Sequence, residues 1–315
     1  MCLGGTRPSA FGERWEEPTF EDEDEDDDED VIARDKGDGR GLTETNMPTF
    51  SAFGQLRQRL DAGEKIVNGF CSVPSPIMAE FLARQGFDSI TIDLQHGLID
   101  YQTSLTMLQA VTGPGVPAIC RVPWNDPIPV MKALDAGFEA IICPMINTRA
   151  EAERFGSYAR YAPRGVRSFG PTRSLNVFGP SYSQAANDQI VTFAMIETET
   201  AVNHLEEILA APEIDGIYIG PADLTLSMGF TPSIAVTERK VIEAIEHIRS
   251  VTKRKNKFVG IHCSSGAAVA EMLNQGFDLA TISTDVRIFI AAVQGEVKAA
   301  RTGQKKEAAD SASAY

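Results

Sequence analysis

Apolar residues along this chain come in short, dense runs separated by mixed segments. Eight such runs lie between residues 48 and 302: Ile66–Cys71, Ser89–Asp93, Pro117–Val122, Ala140–Cys143, Ile190–Ile196, Gly216–Ile219, Phe258–His262 and Leu279–Ser283. Each has the length and the β-branched content of a buried strand. After each comes a segment of helical character, such as Pro76–Gln85, Thr103–Val111, Pro127–Asp135, Arg149–Tyr161 and Thr237–Thr252. Three helical segments end in one phrase: Gln85-Gly86-Phe87-Asp88, Ala136-Gly137-Phe138-Glu139 and Gln275-Gly276-Phe277-Asp278. Glycine there suits the left-handed position that stops a helix, and the next apolar residue enters the following strand. Eight strand–helix units in about 250 residues predict an α/β fold, a (β/α)₈ TIM barrel. An open doubly wound sheet is the alternative, but it has fewer strands and a glycine-rich first turn. No GxGxxG or GxxxxGK[ST] stands at a strand–helix junction, which leaves a dinucleotide or Walker-type phosphate site unsupported.

Charge divides the chain differently. The formal charge of the 315 residues is −15. Residues 1–47 hold 16 acidic and 5 basic side chains, a net of −11, and residues 48–315 carry only −4. Glu21 to Asp30 is unbroken acid, whose self-repulsion opposes compaction, so residues 1–47 are expected to be a disordered acidic tail. Residues 48–302 are then the catalytic barrel, and the polar stretch 303–315 a disordered end. The near-balanced body gives no support for nucleic-acid or membrane binding. Five cysteines (Cys2, Cys71, Cys120, Cys143 and Cys263) form no CxxC pair, and four sit in strand-like runs, as buried thiols of a reducing compartment do. No signal peptide or membrane-length apolar stretch is present, so the chain reads as soluble and cytoplasmic.

In this barrel, chemistry collects at the C-terminal ends of the strands. Those ends carry Asp93 with His96, Arg121, Glu197, the turn Gly220-Pro221-Ala222-Asp223, and His262. Glu197 and Asp223 offer hard oxygen ligands, which suit Mg²⁺ or Mn²⁺ with the remaining positions left to water and substrate. Asp223 could instead cap the helix that follows it, and His262 could pack beneath the loops. No lysine stands at a C-terminal strand end, which disfavours an imine enzyme and turns attention to a metal as the electron sink. The free N–H groups of the Gly220–Asp223 turn suit a small carboxylate. A metal, an anion-binding turn and an arginine together fit a 2-oxo acid, with Arg121 stabilising the enolate oxygen.

These residues resemble the HpcH/HpaI aldolases. The resemblance rests on Asp93…His96, Arg121-Val-Pro-Trp-Asn-Asp126, Ile196-Glu197-Thr198, Ile219-Gly-Pro-Ala-Asp223-Leu, Gly165-Val166-Arg167 and Ala186-Asn187-Asp188, and covers about residues 52–302. It implies a barrel of the phosphoenolpyruvate/pyruvate type and a class II aldolase that cleaves or forms 4-hydroxy-2-oxo acids through a metal-bound pyruvate enolate. It further implies a divalent metal (Mg²⁺ or Mn²⁺, or Co²⁺) on Glu197 and Asp223, and Arg121 as enolate stabiliser. By the same likeness His96 belongs to the acid–base machinery, with Asp93 and Asp135 supporting it. The pyruvate carboxylate would lie on the backbone of Ala222 and Asp223. The implied partners are pyruvate and an aldehyde, and the implied assembly is a homo-oligomer, a hexamer with the last helix exchanged. Two positions depart from the family pattern: Gln95 stands where glutamate is usual, and Met195 where glutamine is frequent. Arg173, in the segment after the fourth helix, is a candidate for reading a second carboxylate, or else an exposed loop arginine. Alternatives are an oxaloacetate decarboxylase or macrophomate synthase-like enzyme using the same enolate, and a binding or scaffold protein acting through the acidic tail. The basic run Lys253-Arg254-Lys255-Asn256-Lys257 is a possible mate for that tail, or a solvated helix end.

Overall fold

A computed structural model describes residues 50–312, with side-chain surroundings through Thr302. The expected N-terminal tail, Cys2 and the last three residues lie outside the described residues. The eight strands are β1 (Ile66–Cys71), β2 (Ser89–Asp93), β3 (Ala118–Arg121), β4 (Ala140–Cys143), β5 (Val191–Ile196), β6 (Gly216–Ile219), β7 (Phe258–Cys263) and β8 (Leu279–Ile282). All are parallel and close into one barrel in chain order, so the predicted (β/α)₈ fold is present. Each strand lies within one residue of the run that predicted it.

Local chemistry explains most boundaries. Ser75, Asp100, Asp126, Thr198 and Ser265 each accept a backbone N–H of the first turn they precede. Thr148 and Glu151 form a reciprocal capping box at the start of helix Arg149–Ala159. The three glycines of the repeated phrase, Gly86, Gly137 and Gly276, all have φ between 86° and 107°. That conformation is open to glycine and strained for other residues.

The bottom of the barrel follows a rule of its own. An acidic residue stands immediately before each even strand: Asp88, Glu139, Asp215 and Asp278. Three of them accept the N–H at or near the start of the preceding odd strand, Asp88 from Val67, Asp215 from Thr192 and Asp278 from Val259. Glu139 instead accepts the N–H of Leu56, in a helix (Gln55–Asp61) not expected from the sequence. Leu56 and Leu60 of that helix bury themselves with Ile66, Ile119, Val191 and Phe193 and close the barrel from below.

The register fixes what lies at the other end. Phe70 pairs with Thr91 and Thr91 with Ile119, so Arg121 stands two residues further up β3 than the level of Phe70. The same two-residue step carries Arg121 to Met195, Met195 to His262, and His262 back to Phe70. Four such steps give a shear of eight, the value at which alternate strands contribute one side chain each to an interior layer. The uppermost such layer of the odd strands is therefore Phe70, Arg121, Met195 and His262, and it floors the barrel mouth.

The last helix runs Asp285–Ala312, past the expected boundary at residue 302, through a segment rich in the good helix formers Gln, Lys, Glu and Ala. Residues 253–256 are exposed at the end of helix Arg239–Arg254, the solvated helix end of the two readings; Lys253 also pairs with Asp278 at 2.8 Å, and Lys257 donates to the carbonyls of Ala211 and Ile214. Cys71, Cys120, Cys143 and Cys263 are buried free thiols, as the strand placement predicted. Among the described residues, no helix is long and apolar enough to cross a membrane.

Candidate active site

Arg121 is the most constrained side chain at the mouth. Its Nε and Nη2 donate to the two oxygens of Asp93 at 2.7 and 2.6 Å, a bidentate fork between the ends of β3 and β2. The guanidinium also lies over the Phe70 ring, 5.0 Å from its centroid. Asp93 is buried, so this pair is held in a low-dielectric setting and its geometry is fixed by both oxygens at once. Nη1 has no hydrogen-bond acceptor among the described residues and is the donor left for a ligand.

Glu197 follows β5 and is 1% exposed. Its Oε1 accepts the N–H of Met145 at 2.8 Å. Met145 has φ of 57°, a costly conformation for a non-glycine residue, in the loop after β4. Asn147 holds that loop: its Nδ2 donates to the Met145 carbonyl, and its Oδ1 accepts from Thr198 beside Glu197. Asp223 enters in the first turn of the short helix Pro221–Ser227 and is exposed. The N–H groups of Ala222 and Asp223 have no acceptor among the described residues. Burial pushes Glu197 up to about 7, and the charge of Asp223 pushes the same way; the Met145 N–H and Arg121 oppose it.

The surroundings of Glu197 and Asp223 fit a divalent cation. Neither carboxylate has a cationic partner among the described residues, although one is deeply buried. A Cβ at Gly220 would lie 2.5 Å from Met195 Cε and 2.8 Å from Glu197 Oε2, so glycine keeps the carboxylate face open. No third His, Cys, Asp or Glu joins them as a metal cluster among the described residues. The pair is thus an open two-carboxylate platform, the kind that leaves positions for water and substrate.

The other predicted residues are placed less uniformly. His96 is exposed at the mouth. Asp93 accepts its backbone N–H at 3.3 Å and that of Gln95 at 3.0 Å, and does not contact the imidazole. The Arg121 fork already occupies both oxygens. Asp135 does not support His96 within one chain: it lies near the C-terminal end of helix Pro127–Ala136 and pairs with buried Arg167 at 2.7 Å. Arg173 does not face the site either. It belongs to a helix, Thr172–Phe178, and donates to the carbonyl of Ala136, which the end of helix Pro127–Ala136 leaves free. His262 reaches the mouth in the floor layer.

Sequence reading did not single out Met145, Phe70 or Tyr218. Alternation along β1 and β6 would have placed Phe70 and Tyr218 inside the barrel. The left-handed Met145 carries no sequence signal, since methionine has no preference for that conformation.

Known proteins with the same order of parts are recognisable. The pattern of the HpcH/HpaI aldolase/citrate lyase family matches residues 69–292. A hydroxypyruvate/pyruvate aldolase of Rhizorhabdus wittichii is 40% identical over 247 residues, 78% of this chain and 98% of that one. A 5-keto-4-deoxy-D-glucarate aldolase of Klebsiella pneumoniae is 30% identical over 76% of this chain and 94% of its own length. The crystal structure of an HpcH/HpaI aldolase/citrate lyase family protein from Burkholderia cenocepacia superposes with a TM-score of 0.73 at 30% identity, covering 79% of this chain and 99% of that one. The chain therefore belongs to the HpcH/HpaI aldolase/citrate lyase family and is an enzyme of the carbon–carbon lyase class.

Proposed function

We propose that this chain is a divalent-metal-dependent aldolase that cleaves or forms 4-hydroxy-2-oxo acids, with pyruvate or a close relative as the 2-oxo acid product. The observation that carries this reading is the unpartnered pair Glu197 and Asp223 beside the clamped Arg121, on strands that contain no lysine. Glu197 and Asp223 would hold Mg²⁺ or Mn²⁺, with Co²⁺ an acceptable substitute. Bound there, the ion would supply Lewis-acid polarisation of the substrate carbonyl.

This chain's own residues do the rest. The free N–H groups of Ala222 and Asp223, after Gly220 and Pro221, orient the substrate carboxylate. In cleavage the C4 hydroxyl loses its proton and the C3–C4 bond breaks. The C4 carbon leaves as an aldehyde, and the electron pair passes to the C2 oxygen as an enolate. Arg121 Nη1 stabilises that developing charge, and it costs no reorganisation because Asp93 already fixes the guanidinium. C3 then takes up a proton. His96, exposed at the rim, is the group assigned to proton transfer. Purified protein should release pyruvate from a 4-hydroxy-2-oxo acid when Mg²⁺ or Mn²⁺ is added. A panel that includes oxaloacetate separates aldol cleavage from decarboxylation.

The same reading includes a homo-oligomer, a hexamer by likeness. It is supported by the exposed Ile288, Phe289, Ile290 and Val293 on the last helix, an apolar surface that a monomer would leave in water. Light scattering of the purified protein tests it: a monomeric mass would remove this part.

A further inference from the structure

His262 is the one polar side chain of the mouth floor, besides Arg121, that the reaction above leaves without a task. Its ring meets Phe70 edge-on at 5.1 Å, and Phe70 in turn carries Arg121. The two polar groups therefore stand on opposite strands, β3 and β7, across the floor.

A chain of buried hydrogen bonds runs up the barrel interior to this ring. Ser89 Oγ donates to Asn68 Oδ1 at 2.8 Å. Asn68 Nδ2 donates to Thr91 and Thr281, both at 2.9 Å. Thr281 Oγ1 lies 2.7 Å from Tyr218 Oη, which lies 3.3 Å from His262 Nδ1. As placed, Asn68 Nδ2 donates to Thr281, which leaves the Thr281 hydroxyl proton for a further acceptor. Thr281 can then pass its own hydroxyl proton to Tyr218, and Tyr218 its proton to His262 Nδ1. Run in this direction, the chain leaves His262 with its proton on Nε2. Burial, with help from Arg121, lowers the imidazole to about 4, so the ring is neutral at physiological pH. Nε2 has no partner among the described residues, and the side chain is partly open to the mouth.

A small 2-oxo acid has three places to meet this floor. Its carboxylate and C2 oxygen are taken by the Gly220–Asp223 turn and by Arg121. Only C3 and its substituent remain. A methyl group placed against Nε2–H would strip a donor of water and return nothing, whereas a hydroxyl would accept from it. The geometry points to His262 as the residue that selects a 2-oxo acid bearing a hydroxyl on C3, by donating from Nε2 to that hydroxyl. The inference rests on the aldolase reading.

The test compares hydroxypyruvate and pyruvate as donors for aldol addition to glycolaldehyde with Mn²⁺ present, in wild type, His262→Phe, His262→Gln and Tyr218→Phe. His262→Phe keeps an aromatic ring on Phe70 and should lose roughly 10- to 100-fold more kcat/KM with hydroxypyruvate than with pyruvate. His262→Gln, which restores an N–H donor, should recover part of that ratio. Tyr218→Phe frees the tautomer and should fall between them. An equal fall with both donors overturns the inference, as would a ¹⁵N NMR spectrum of the wild-type holoenzyme showing the proton on Nδ1. A wild-type protein inert with both donors would instead overturn the aldolase reading, and the NMR result would still report on the tautomer.

Discussion

The two ends of this barrel treat their acidic residues in opposite ways. At the bottom, three of the four acids that precede the even strands touch a cation: Asp88 meets Arg59 at 2.6 Å, Asp215 meets Arg57 and Arg160 at 2.6 and 2.7 Å, and Asp278 meets Lys253 at 2.8 Å. Each also holds a strand's backbone N–H. At the mouth, Asp93 is paired, but Glu197 and Asp223 form no salt bridge among the described residues, and Arg121, whose charge reaches Glu197, is committed to Asp93. The bottom spends its charge on order, and these three acids are each held by both a cation and a backbone N–H. The top leaves two carboxylates together at a cost to stability, which is reasonable only if a ligand completes them.

The largest effect that should follow is catalytic. Glu197→Gln and Asp223→Asn each remove one hard oxygen ligand and should lower kcat/KM for aldol cleavage by about a thousandfold or more, while circular dichroism stays that of the wild type. A loss below about tenfold in either would erase the contrast between the two ends.

The corresponding change at the bottom should act on stability instead. Arg160 is fully buried, with Nε on Glu213 at 2.9 Å and Nη2 on Asp215. Arg160→Met strands part of that charge and should cost about 3 kcal/mol in urea denaturation, because an uncompensated buried charge is expensive. Turnover per folded molecule should hold.

Glu139 is the bottom acid without a cation, and it sharpens the comparison. Burial pushes it up to about 7, against the N–H groups of Leu56 and Gln55. The folded chain therefore binds a proton between the ordinary carboxylate range and about pH 7 that the unfolded chain has released. Stability from this group is full at low pH and is lost as pH rises to about 7. Glu139→Gln keeps an acceptor for Leu56 and removes the ionisation. Its stability relative to wild type should rise from pH 4 to pH 8 by up to about 3 kcal/mol. A difference that does not vary with pH would mean that Glu139 is charged throughout.

The smallest expected effect returns to the mouth. With chelator present, Glu197→Gln should stabilise the protein by about 1 kcal/mol at pH 8, since it replaces a buried carboxylate that has no salt-bridge partner with a neutral acceptor for Met145. Destabilisation would show that Glu197 already has a compensating partner.

Much of this was legible in the sequence because strand period and helix stops are local. The eight apolar runs, the Gly-Phe-acid phrase and the barrel rule brought Asp93, Arg121, Glu197 and Asp223 to one end without any structure. What stayed hidden depends on long-range packing. Asp135 and Arg173 carry the right chemistry, but helix Pro127–Ala136 and the Thr172–Phe178 helix absorb them into contacts with Arg167 and the Ala136 carbonyl. The Gln55–Asp61 helix is short, and only its fit into the open barrel floor explains it. The His262 tautomer depends on five interior side chains drawn from four strands.

The central claim is that Arg121, clamped by Asp93 beside an open carboxylate pair, stabilises the enolate of a 2-oxo acid. The direct measurement is pyruvate release from a 4-hydroxy-2-oxo acid by chelator-treated protein, before and after Mn²⁺ is restored, in wild type and Arg121→Ala. The account predicts silence before the metal, turnover after it in the wild type, and silence in the variant under both conditions. Pyruvate release by Arg121→Ala at a rate near that of the wild type would contradict it.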